Sequence, residues 1–192
     1  TGGNIFAAGT VTITSGIIEK GEASNCGGNI GTNSGNSNIT VGGDAIIQDG
    51  SAVLGGNLGI YVRGNKSFVV EGNAQILNGS ATTSGGNIDV NTWLNNPSNF
   101  QLKGGTVSGG SAPIGGNIHV TGNNGNFTAT GGIITGGIGT NGANLAIYNA
   151  KANVTLGNVS ISNTQADAKS ILVEAGKLNI GEGTAITNEA AG

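Results

Sequence analysis

The 192-residue chain has no methionine, two prolines, one cysteine, one histidine and only seven Lys and Arg residues. Each shortage excludes something. With a single cysteine, Cys26, no internal disulfide can form, which leaves a buried thiol at a turn or an intermolecular link. Seven scattered cations under a net charge of −3 offer no patch to a phosphate backbone, so no nucleic-acid partner is expected. One His and one Cys make no metal-ligand set, so neither a metal nor a cofactor is expected. No apolar run reaches the roughly 18 residues that a membrane-spanning helix needs, and no membrane insertion of this segment is expected. The chain shows no signal peptide and starts inside a repeat motif without Met, as a processed or excised piece of a longer product would.

Charged residues make up 9% and aromatics 4%, while Gly supplies 39 residues and Asn 27. That is the composition of a disordered linker, except that the apolar residues keep register from one repeat to the next. Gly-Gly-Asn-Ile occurs at 2–5, 27–30, 85–88 and 115–118, with Leu58 closing the copy at 55–58 and a softened copy at Gly142-Ala143-Asn144-Leu145. The asparagines are separated by 25, 28, 30, 30 and 27 residues, the spread expected when each copy starts one structural unit with loops of varying length. A periodic chain of this size is read as one domain, 1–192.

Each unit holds three short segments of alternating apolar character separated by Gly and Asn, and none has a helical period. The first segment carries Ile30, then Leu58 with Ile60, Ile88 with Val90, Ile118 with Val120, and Leu145 with Ile147. The second gives inward pairs: Val11/Ile13, Ile39/Val41, Phe68/Val70, Phe100/Leu102, Phe127/Ala129, Val154/Leu156 and Leu178/Ile180. The third gives a single row: Ile18, Ile47, Ile76, Val107, Ile134, Ile161 and Ile186. A unit of this length cannot bury its own apolar side chains, but it can stack on its neighbour with every backbone amide paired between coils. The fold class is therefore all-β, a right-handed parallel β-helix of about seven coils with three short strands per coil, about 34 Å long at a strand spacing of about 4.8 Å. Asn4, Asn29, Asn57, Asn87, Asn117 and Asn144 would form an amide ladder at one bend, and the paired glycines before them would supply positive φ or close approach. Ala23, Ala52, Ala81 and Ala112 read as a column of small residues ahead of that bend.

The Gly-Gly-Asn-Ile repeats and the Phe/Val strand pairs resemble the right-handed parallel β-helix proteins of the pectin-lyase-like superfamily. They are nearest to repeat-built surface proteins such as polymorphic outer-membrane and autotransporter passenger proteins. The resemblance implies an extracellular or cell-surface location, and some members of the superfamily are enzymes with clustered acids outside the tube. Aligning the outward residue after each Asn-Ile gives Phe6, Gly31, Gly59, Asp89, His119 and Ala146. Asp89 and His119 become neighbours, a candidate polar pair read as an exposed ion pair worth under about 1 kcal/mol. Gly59 and Ala146 flank it where a nucleophile or a further carboxylate would be needed. The remaining acids fall in other columns or distant coils, so no catalytic residue is assigned.

The outer face of the second strand is a candidate binding face, carrying Thr10, Thr12, Thr14, Asn38, Thr40, Asn126, Thr128, Thr130, Asn153 and Thr155. A flat, uncharged face of this kind suits ice or a glycan, although Glu71, Gln101 and Lys103 interrupt it. Trp93 is read as covering a strand edge, with Tyr61 and Tyr148 on other coils as companions for a sugar ring in the rival reading. Sequons fall at Asn38, Asn65, Asn78, Asn126, Asn153 and Asn158, several of them by accident of composition. The expected function is that of a non-catalytic extracellular structural or adhesive β-helix, a surface stalk, adhesin or fibre-forming repeat. Its expected partners are a glycan or cell-surface ligand and further copies met end to end through bare strand edges. The alternatives are a carbohydrate-active enzyme of the pectin-lyase-like type and a face that binds ice or glycans.

Overall fold

The computed structural model describes residues 2–34, 36–63, 66–92 and 98–189. Trp93 and the sequon at Asn65 lie outside the described residues. Alternating β-branched and polar residues form strands, Gly and Asn turn the chain between them, and no helix occurs among the described residues. Three seven-stranded parallel sheets result, and each coil contributes one strand to each. The fourth coil shows the plan: Ile88–Thr92 in the first sheet, Ser98–Leu102 in the second and Thr106–Ser108 in the third. The first sheet runs from Ile5–Ala7 to Ile171–Val173, the second from Thr10–Ile13 to Lys177–Ile180, and the third from Ile17–Glu19 to Ala185–Asn188. The molecule is a parallel β-solenoid with three strands per coil.

The inward rows align as the alternation requires. Phe68, Phe100 and Phe127 are paired across the second sheet, Phe100 stacking on Phe127 with centroids 4.8 Å apart. Ile47, Ile76, Val107, Ile134 and Ile161 form a fully buried row along the third. Full burial of one such side chain is worth about 1.5–3 kcal/mol, so the stacked rows are the main source of cohesion.

At the bend before the first sheet the asparagines from Asn29 to Asn144 satisfy the whole side-chain amide. Asn57 Nδ2 donates to Asn87 Oδ1 at 2.7 Å and to the Leu77 carbonyl at 2.7 Å, while its Oδ1 accepts from Asn29 Nδ2 at 2.7 Å and from the Gly50 amide at 2.9 Å. The side-chain bond recurs from Asn4 to Asn144, at 2.7–2.8 Å between successive members. The column then ends on a residue of a different kind: Asn144 Nδ2 donates to Ser170 Oγ at 3.0 Å, in the seventh coil. The two glycines ahead of each asparagine serve separate ends. Gly85 holds φ at +61°, and a Cβ on Gly86 would meet the Gly116 carbonyl of the next coil at 2.1 Å.

One feature of the coil has no counterpart among the three expected strands. Between the third sheet and the ladder the chain makes a short excursion whose strands Ser51–Leu54 and Ser80–Ser84 form a small fourth parallel ladder. Bridges carry it from Glu22 and Cys26 in the first coil to Ile138 and Asn141 in the fifth. Ala52, Ala81 and Ala112, the expected small residues, lie within it and are 5% exposed.

Candidate functional site

The excursion lies over the outer surface of the first sheet and changes the surroundings of the column Gly31, Gly59, Asp89, His119, Ala146. These residues do face away from the core, since Ile88 and Val90 on either side of Asp89 belong to it. Their register is the expected one, Asp89 pairing with Gly59 on one side and His119 on the other, and His119 with Ala146. They are nevertheless covered. Asp89 is 0% exposed, His119 7% and Ala146 0%. Phe6 begins the same column with no excursion over it and is 52% exposed.

The expectation of an exposed ion pair is thus corrected: Asp89 and His119 are buried beneath a second layer. Asp89 Oδ2 accepts from Ser84 Oγ at 2.6 Å and lies 2.8 Å from His119 Nδ1, while Asp89 Oδ1 is buried without a hydrogen-bond partner among the described residues. The His119 and Tyr148 rings meet in a T-shaped contact, with centroids 5.6 Å apart. On the other side of Asp89, Cys26 Sγ occupies the space a Cβ on Gly59 would enter. Burial, and then the negative charge of Asp89, push the Cys26 thiol up to about 12. At neutral pH it is a thiol, which is a poor nucleophile.

Chemically this cluster is a buried carboxylate with two donors on one oxygen. Ser84 spends its hydroxyl proton on Asp89 instead of facing the imidazole, so the set lacks the nucleophile-to-base contact of a hydrolytic triad. No group of three or more His, Cys, Asp or Glu side chains gathers to hold a metal among the described residues. A depression of 540 Å³ on the excursion, lined by Glu22, Ala23, Ser24, Ser51, Ala52, Val53 and Thr82, brings in a single carboxylate with no second titratable side chain beside it.

The second-sheet face is placed as its alternation predicts. Thr10 pairs with Asn38 and Thr12 with Thr40, Asn126 with Asn153 and Thr128 with Thr155, all exposed or half-exposed. Thr14 and Thr130 lie one residue past their strands, also exposed. Val69 and Gln101 separate the two Thr groups in the central coils. Ser84, Cys26 and Ser170 take part in these columns although the repeat motif does not mark them. Their signal was indirect: a run of Gly and Ala on a nominally exterior column leaves room for a covering layer.

The sheets and the satisfied ladder define the class as a parallel β-solenoid. Comparison with protein-family models, with curated proteins and with solved structures gives no match.

Proposed function

We propose that this solenoid is a non-catalytic structural and adhesive module of the cell surface or extracellular space, related to the repeat-built pectin-lyase-like surface proteins. The observation that carries the proposal is that the repeated ladder asparagines and the buried Asp89–His119 pair are consumed inside the scaffold. The ladder amides from Asn29 to Asn144 are saturated by each other, by backbone and by Ser170, and the buried Asp89 is held by Ser84 and His119. What remains outward is a rigid, weakly charged rod. Apolar side chains of the seventh coil that belong to the inward rows stand open, Ile180 at 57% and Ile186 at 42%, which supports contact with a further coil of the same chain or of another molecule. The test is product release from uronate and neutral polysaccharides, alongside binding to a glycan array and to cells. The proposal expects no turnover; turnover abolished by Asp89→Asn or His119→Ala would establish the carbohydrate-active enzyme instead.

A second reading, that the second-sheet face binds ice or a glycan, is supported by the in-register exposed Thr and Asn columns. Thermal hysteresis or glycan-array binding that disappears in Thr12→Tyr and Thr128→Tyr variants would promote it over a passive stalk.

A further inference from the structure

A chain built of near-identical coils carries a hazard that its regularity creates. If one coil were looped out, Asn would still stack on Asn and Ile on Ile, and the added loop would cost little, because closure entropy grows only slowly with loop length. Skipping the fourth coil would set Phe68 directly on Phe127 and Asn57 on Asn117, both pairings the solenoid already accepts in kind. The ladder and the core rows therefore fix the fold but discriminate weakly between correct and shifted stacking.

The buried cluster is different, because it occurs once. Its column reads Gly31, Gly59, Asp89, His119, Ala146, so only the stacking of the fourth coil on the fifth gives the carboxylate its imidazole. Stacked on the sixth coil instead, Asp89 would face Ala146 while still enclosed. A fifth coil stacked on the third would set His119 against Gly59. The excursion carries the same mark: Ser84 stands between Leu54 and Ile114 in its column, a hydroxyl among apolar neighbours. One oxygen of Asp89 is left without a partner among the described residues, so the cluster is not an arrangement optimised for stability. A polar group that is costly everywhere except opposite one partner is how coiled coils specify register.

We propose that Ser84, Asp89 and His119 are a registration key, which makes the stacking of the fourth coil on the fifth the one arrangement that does not bury an unpaired charge. The occupant of each half of the key is thus the neighbouring coil of the same chain.

The test reads register directly. Gln101→Cys and Thr155→Cys, in a Cys26→Ala background, place thiols on the half-exposed second-sheet face two coils apart, with the Thr128 row between them. At about 4.8 Å per coil they stand roughly 10 Å apart in correct stacking. That is beyond the limit of about 7 Å between Cα atoms for a disulfide. With the fifth coil skipped, the arrangement that encloses Asp89 against Ala146, they become neighbours. Refolding from denaturant under oxidising conditions should give no intramolecular cross-link in the parent. Ser84→Ala, Asp89→Leu and His119→Leu together, apolar replacements of similar volume, should keep the melting temperature within a few degrees and yet yield a cross-linked population. Asp89→Ala alone should lower the melting temperature by about 10 °C, because it strands the imidazole. Should the triple variant fail to fold, Asp89→Asn keeps the volume and removes only the charge, and it should raise the cross-linked fraction at least several-fold above the parent. A folded triple variant, or failing that Asp89→Asn, with no more cross-link than the parent overturns the proposal.

Discussion

The fourth and seventh coils follow one plan, but the fourth has a neighbour on each side and the seventh departs from the repeat. In the fourth, Asn87 spends all four hydrogen-bonding positions on the ladder, and Gly86 lets the Gly116 carbonyl approach closer than any side chain would permit. In the seventh, Ser170 stands at the ladder position, and just ahead of it, at the end of the sixth coil, Gln165 supplies through its side-chain Oε1 the bond that Gly139 N needs, where Ala112 N in the fourth coil finds the backbone carbonyl of Ile138. The softened copy is explained by the same difference. Ala143 replaces the second glycine in the one interior coil whose next neighbour departs from the repeat, and it is fully buried there without harm. Repeat residues are thus dictated by the adjoining coil more than by their own.

The sharpest way to break that comparison is to move alanine from one place to the other. Gly86→Ala drives a Cβ into the Gly116 carbonyl and should cost about 3 kcal/mol or more. Ala143→Gly should cost only about 0.5–1 kcal/mol, the backbone-entropy difference between the two residues. Urea denaturation of both variants checks the pair, and equal losses would remove the neighbour-coil explanation. Next in size, Asn87→Ala orphans the Gly79 amide and leaves the amides of Asn57 and Asn117 partly unpaired, with an expected loss of about 3 kcal/mol. Asn4, exposed at the start of the ladder, should cost about 1 kcal/mol or less when replaced by alanine.

These contrasts also separate what was legible in the residues from what was not. The ladder asparagines and the inward rows were legible because one residue type returns at one position, and alternation then assigns the facing. The excursion was not, because its column runs Cys26, Leu54, Ser84, Ile114, Asn141, five different side chains on strands of five residues or fewer. Alternation tells whether a residue faces into the tube or away from it. It cannot tell whether a second layer covers the outside, and so Asp89 and His119 were placed correctly in register and wrongly in exposure. Ser170 escaped notice because a serine ends the asparagine ladder.

The smallest effect contrasts this covered layer with the open face. Cys26, whose thiol is pushed from 9.0 to about 12, should resist alkylation at pH 8 until the chain unfolds. Because its proton is held more tightly folded than unfolded, the contribution to stability is complete below pH 9.0 and is lost as pH rises toward about 12. A Cys26→Ala variant should show a shallower alkaline loss, measured by urea midpoints between pH 8 and pH 11. On the open face, Thr128→Ala should shift stability by no more than about 0.5 kcal/mol.

The central claim is that successive coils lie directly upon one another with their asparagine amides in one hydrogen-bonded file. Nuclear Overhauser contacts between side-chain amides test it most directly in solution. The account predicts contacts from Asn57 to Asn87 and from Asn87 to Asn117, with none from Asn57 to Asn117. Missing contacts between adjacent members, or a direct one between Asn57 and Asn117, would contradict it.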